Sequence, residues 1–525
     1  MRTRSGARVT ACLAACVLLL ASGCTGGAAN PAGAGRAPRD PVTAADRGAE
    51  FRIALPFGLN SLDPHRPVST ADSIWMRPLY DSLLTLADGP DGVEPAPQLA
   101  TSYEIAQDGM SVTFELREDV AFQDGTRFDA DAVAANMRRA RGPDSTVASL
   151  LASLDRVEVI DPSRVVFHLS RPDPGLPWSL ADSSAGMMIS PAALDSDLRA
   201  RPAGSGPYTL VSAAKDGDVV YRRWDRHWDS DAALAAEQTI SIVLDANARY
   251  NAVRSGRLDA AFFQGPPHDS MSKSLEAEGF HWEQALSPIS YGVFLNTGLA
   301  PFDDVRVRRA VGLAVNRPAV SHALRKINPP SYQPFNKGYL GFSPNLDANP
   351  HDPEAARALV RAAGAEGASV TLAQYTTPPF DLIAEIVQQS LTDIGLKVEL
   401  FPLSPTEGLP NWRKGATQAQ VGSLLAFADP SRTLTGTYLG EDAPGPADPV
   451  LEKMAEDARA LPAGSAERER AYQRISAYLV ENPVHVPIAQ FSTVILARPD
   501  VVGSGALVVQ DIGKLDLRGV GVTKE

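Results

Sequence analysis

With 525 residues, the chain is too long for a single hydrophobic core and calls for two or three domains. It is 44% hydrophobic and 21% charged, a globular rather than a disordered composition. The formal net charge is −13, and −16 once Arg2, Arg4 and Arg8 leave with the first 23 residues, so a nucleic-acid role, which rests on Lys and Arg against phosphate, is excluded.

The first element in chain order is a leader over residues 1–23, a signal peptide. Arg2, Arg4 and Arg8 form its basic n-region, and Val9–Leu20 is an apolar run too short to span a bilayer. It closes on Leu20-Ala21-Ser22-Gly23-Cys24, so Cys24 is the candidate for lipidation. All three cysteines (Cys12, Cys16 and Cys24) lie here, which leaves the body without disulfide or thiol chemistry. Residues 24–48 then read as the lipidated cysteine and a flexible Gly/Ala/Pro tether.

The body begins with a strand at Phe51. Ser111–Leu116 alternates apolar and polar residues at period two, as a half-buried strand does, between turns at Asp108-Gly109 and Asp124-Gly125. Asp129 opens a helix with acids at its positive end. Further on, Val305–Val315, Pro353–Ala363 and Leu382–Leu391 carry helical periodicity, and Lys397–Phe401 reads as a strand.

These elements occur inside word-like blocks. Pro97–Met137, Ser61-Leu62-Asp63-Pro64, Leu79–Leu84, Gly204-Ser205-Gly206-Pro207-Tyr208, Asp245–Asp259, Tyr291–Arg309 and Tyr472–Pro487 follow one another in order. Together they resemble the family 5 extracytoplasmic solute-binding proteins of ABC importers, the oligopeptide, dipeptide and nickel group. Leu20–Cys24 likewise resembles the lipobox of bacterial lipoproteins, with Ala21 where a leucine is usual.

The resemblance implies an α/β fold of the periplasmic-binding-protein-like class II (cluster C) type, two lobes with an extra subdomain and a hinge. Residues 49–69, 201–290 and 488–525 would form lobe I, 70–200 the extra subdomain, and 291–487 lobe II. It implies a lipid-anchored monomer on the outer face of the cytoplasmic membrane. That monomer would capture a small solute, foremost a peptide-like one, and deliver it to the membrane subunits of an ABC permease. No cofactor, metal or nucleic-acid partner is implied, and the alternatives are an oligosaccharide or a metal-chelate or siderophore-like solute.

By position in the family pattern the ligand-binding residues are Gly58, Leu59 and Asn60, Tyr291, and Ser423, Leu424, Leu425, Ala426 and Phe427, with Arg413 the cation nearest in sequence. The segment ending in Asp429-Pro430 departs from the peptide binders' W-x-x-D-x-x-[DE]-P pattern: Ser423 stands for the aromatic residue and Ala426 for the aspartate that meets a peptide's α-ammonium. Burying an ammonium without a carboxylate costs several kcal/mol, which disfavours a plain peptide with a free N-terminus.

A rival reading from another class is a secreted hydrolase, and the residues offer it little. The eight histidines never stand at i, i+4, and no His-Glu-x-x-His occurs. Gly204-Ser205-Gly206 lacks the outer spacing of a nucleophile elbow and reads as a turn. His227 reads as a satisfied histidine, Asp303-Asp304 as a helix cap, and Trp75, Trp224, Trp228, Trp282 and Trp412 mainly as packing.

Overall fold

The computed structural model describes residues 41–524 except 70, 90–91, 215–216, 264–268, 347–349, 428, 441–442, 444 and 508–514. The leader, Cys24 and residues 25–40 of the expected tether lie outside the described residues. The tether expectation is corrected at its far end. Pro41–Ala44 is helical, Ala45 is buried with Leu234 and Val502 and bridges Thr523, and Arg47 pairs with Asp231. These contacts join the first described residues to the end of the chain, so no local composition signals them.

Among the described residues one ten-stranded sheet organises the body. Its strands are β1 (Glu50–Leu55), β2 (Tyr208–Ala213), β3 (Val219–Arg223), β4 (Glu237–Ile242), β5 (Ala260–Phe263), β6 (His281–Leu295), β7 (Ser369–Tyr375), β8 (Lys397–Leu403), β9 (Ala419–Leu424) and β10 (His485–Ala497). The spatial order is β8-β7-β9-β6-β10-β5-β1-β4-β3-β2. β1 runs parallel to β4 and β5 on one side, and β7 parallel to β8 and β9 on the other. The inner parallel strands are almost fully buried, β5 at every position and β9 at all but Ser423, as strands covered on both faces are, whereas β4 and β8 keep half-buried or exposed positions.

Between the two sets lie the long antiparallel strands β6 and β10. They pair from His281↔Ala497 to Leu286↔Ser492 and resume at Ser290↔Gln490, so Ser287, Pro288 and Ile289 fall out of the ladder. A buried carbonyl without a partner is costly, and side chains supply the partners here. Tyr339 Oη donates to Leu286 O at 2.9 Å, Gln490 Nε2 to Ser287 O at 2.8 Å and Asn336 Nδ2 to Pro288 O at 2.8 Å. This ladder break lies where the sheet passes from one parallel set to the other.

A second sheet, ordered (Ala100–Ile105)-(Ser111–Leu116)-(Arg164–Leu169)-(Leu154–Asp161), packs on the helix Ala130–Ala140 with its own core around Phe114 and Phe167, whose rings are 4.9 Å apart. Ser111–Leu116 alternates buried and half-buried residues, and Asp129 caps the helix by accepting from Ala132 N. Gly109 and Gly125 have φ of +66° and +90°, as their turns demand.

The Gly204–Tyr208 block is a close backbone crossing. A Cβ on Gly204 or Gly206 would overlap the backbone of Leu79, while Gly206 N and Tyr208 N donate to Leu79 O and Pro78 O at 2.9 Å each. Ser205 Oγ donates to Asp81 at 3.2 Å, so this serine is a structural donor. Asp81, fully buried, also accepts from Trp228 Nε1 at 3.0 Å and Arg518 at 3.1 Å, and lies 3.1 Å from His227 Nε2.

Candidate functional site

In open α/β sheets ligands bind beyond the carboxyl ends of parallel strands. Here both parallel sets end toward the β6–β10 crossing: Phe263 at the end of β5 pairs with Val494, and Leu424 at the end of β9 pairs with Ser290. The candidate site is therefore framed by the segments after β1 (56–60), after β4 (243–245), after β7 (376–379) and after β9 (425–427 and 429–432).

After β1, Gly58 lies against Ile242, and a Cβ there would stand 3.5 Å from its Cδ1. Leu59 packs into the first lobe's core. Asn60 is exposed, yet its backbone N and Nδ2 both donate to Asp72, a fully buried acid that also accepts from Val68 N and Ser69 N. That acid rigidifies the loop.

Tyr291 is 1% exposed, its ring against Phe380 and Phe491 at 5.5 Å each, and burial pushes its hydroxyl well above the usual phenol range. Arg413 is exposed in the last turn of the helix Pro405–Arg413.

The run after β9 keeps strand alternation. Ser423, Leu425 and Phe427 are half-buried or exposed, while Leu424 and Ala426 are buried in an apolar cluster with Phe335, Leu434, Tyr438 and Tyr472. The methyl of Ala426 thus occupies a position where a carboxylate would face hydrocarbon. The side chains of Leu424 and Ala426 belong to that cluster, and a solute in the cleft would meet these two residues through their main chain.

Asp429 is spoken for. It is fully buried, caps the short helix Pro430–Thr433 through Ser431 N at 2.8 Å and pairs with Arg468 at 2.7 Å. Burial pushes its carboxyl up, but Arg468 and Ser431 outweigh that and hold it below the usual carboxylate range.

Two further groups here carry no signal in the local sequence. Arg432 lies with its guanidinium 4.0 Å over the Phe427 ring and pairs with Asp182 of the helix Leu176–Asp182, 250 residues away. Trp178, one turn before Asp182, shares its helix face by i, i+4 spacing and is half-buried. Leu244, just past β4, is 75% exposed, and Leu425, just past β9, is 48% exposed. Two exposed aliphatics thus stand at strand ends of the two parallel sets.

The chain as a whole has matches among known proteins. A family model described as bacterial extracellular solute-binding proteins, family 5 Middle, matches residues 94–445. The chain belongs to this family.

Within family 5, it is 29% identical over 361 residues to the glutathione-binding protein GsiB of Salmonella paratyphi A, across 66% of this chain and 68% of that protein. The periplasmic binding protein DppA of Helicobacter pylori, solved with the peptide STSA, superposes with a TM-score of 0.77 at 20% identity, covering 91% of this chain and 98% of that one. NikA of Brucella suis, solved with Fe(III)-EDTA, gives 0.76 at 23% identity, covering 86% and 95%. These likenesses establish the two-lobe class II fold and leave the solute open.

Proposed function

We propose that the chain is the lipid-anchored receptor of an ABC importer, which captures a peptide-like solute between its lobes and presents it to the permease. The observation that carries this reading is the crossing: two parallel strand sets end on opposite sides of a ladder break at residues 287–289. A solute that touches both sets only when they are closed stabilises that state by its differential affinity. The ligands of its relatives, glutathione for GsiB, a peptide for DppA and a metal chelate for NikA, support a compact charged solute.

Ala426 in its apolar cluster favours a solute other than a plain α-linked peptide held by its N-terminus. We propose that Gly58, Leu59, Asn60, Ser423, Leu424, Leu425, Ala426 and Phe427 line the cleft, the buried ones through backbone N–H and C=O groups. Tyr291 supports its floor and Arg413 stands at its edge.

One experiment tests receptor and anchor together. Wild-type protein and Cys24→Ala, expressed from the full chain, are fractionated and then melted with glutathione, tripeptides, oligosaccharides and Fe(III) chelates. Wild type should partition with membranes and Cys24→Ala should be released. One solute class should stabilise both alike, by about 2.7 kcal/mol at one hundred times its dissociation constant. A free N-terminus other than Cys24 on the wild type sinks the anchor, and no stabilisation by any class sinks the receptor.

A further inference from the structure

The Asp182–Arg432 contact joins the subdomain to the segment after β9 at the carboxyl end of a cleft-framing strand. Asp182 is fully buried and the Arg432 side chain is 10% exposed. The pair is incompletely bonded: among the described residues, Asp182 Oδ2 and Arg432 Nε are both buried without a hydrogen-bond partner. The seam is close, since a Cβ on Gly175 would stand 3.0 Å from Ser431 Oγ. The neighbouring acid Asp429 has its own partners in Arg468 and Ser431. What remains is one acceptor atom on the acid and one donor atom on the guanidinium that it pairs with, with Phe427 under the guanidinium.

We propose that Asp182 and Arg432 are the specificity-determining pair of the cleft, reading a solute that carries an ammonium and a carboxylate on one carbon. Free amino acids, γ-linked glutamyl peptides and amino-acid-derived chelators have such a head; an α-linked peptide separates the two charges by its length. The ammonium donates to Asp182, and the carboxylate accepts from the Nε edge of Arg432, the bonding geometry a guanidinium favours. Asp182 thereby supplies, from the facing subdomain, the acid missing at Ala426. When the lobes part, both groups hydrate, and a head that enters then is held as they return. This rests on the receptor reading and narrows it to one head group.

Calorimetric titration with glutathione, N-acetylglutathione and the α-linked tripeptide Glu-Cys-Gly tests it on wild type, Asp182→Asn, Arg432→Gln and the double variant. The double variant strands no lone buried charge and so separates binding from folding; its melting temperature should stay near that of the wild type. Wild type should bind glutathione at least about tenfold more tightly than the other two probes, and every variant should lose that preference, with the double variant no weaker than the singles. Equal binding of the N-acetylated probe, or wild-type affinity in the variants, overturns the proposal. Tight binding of the α-linked peptide alone overturns it while upholding the receptor. No binding of any of the three overturns it too, and the receptor reading then stands or falls on the wider solute panel.

Discussion

Asp429→Ala should destabilise the protein by about 3–5 kcal/mol, the cost of leaving a buried charge without its partner. Arg468 is 3% exposed and would keep Tyr472, whose hydroxyl is 3.5 Å from Nη2 and whose ring lies 5.0 Å from the guanidinium, with Asp173 as a more distant acid. The variant also removes the cap of the helix Pro430–Thr433, worth about 1 kcal/mol, and loosens the segment that places Phe427 and Arg432. Because the folded carboxyl lies below its ordinary value, the stability it contributes is present above about pH 4 and is lost as pH falls through the folded value. Asp429→Ala with Arg468→Met, which removes both charges, should recover much of the loss. Urea unfolding of the two variants checks this, and a single-variant loss under about 1 kcal/mol would show that the pair is solvated.

Stability should also fall steeply between about pH 6.5 and pH 4.5, through two buried histidines. His485 is 3% exposed with its ring 4.5 Å from that of Phe294, and burial, with Arg317 adding to it, pushes its pKa down to about 3. His65 is fully buried and is likewise pushed down to about 3, by burial first and Arg139 second. The unfolded chain protonates each near pH 6.5 while the folded chain does not. Between about pH 3 and 6.5 the unfolded state therefore binds more protons, and stability rises with pH. Each histidine contributes a slope of about 1.4 kcal/mol per pH unit. His485→Gln should remove about one such slope from unfolding free energies measured from pH 4.5 to 6.5. An unchanged slope would mean that His485 is protonated in the folded protein at these pH values.

Much of the scaffold is legible in local sequence because its causes are local. Ser111–Leu116 shows its alternation, Asp129 and Asp304 accept from Ala132 N and Arg306 N as helix caps do, and the helices Val305–Ala314, Pro353–Ala362 and Phe380–Asp393 follow their apolar periodicity. His227 is satisfied by Asp81 and the carbonyl of Asp229, and Trp75 is buried in the first lobe's core.

The cleft is less legible because its causes are distant. The orientation of Ala426 depends on where β9 pairs with β6, which sends Leu424 and Ala426 toward residues 434–479. Asp182 and Trp178 sit in a short proline-containing helix with nothing to mark them, and Asp182 acquires meaning only from Arg432. The fold of Pro41–Gly48 depends on Val522 and Thr523, to which Asp46 N and Ala45 are tied.

The most direct test of the central claim is native mass spectrometry of the chain from Cys24→Ala cells, incubated with a defined pool of glutathione and tripeptides. Capture without chemistry predicts a one-to-one complex that releases its solute with unchanged mass, and a pool whose composition is otherwise unaltered. Cleaved or transferred products accumulating beyond the amount of protein would contradict it and return the chain to the hydrolase reading.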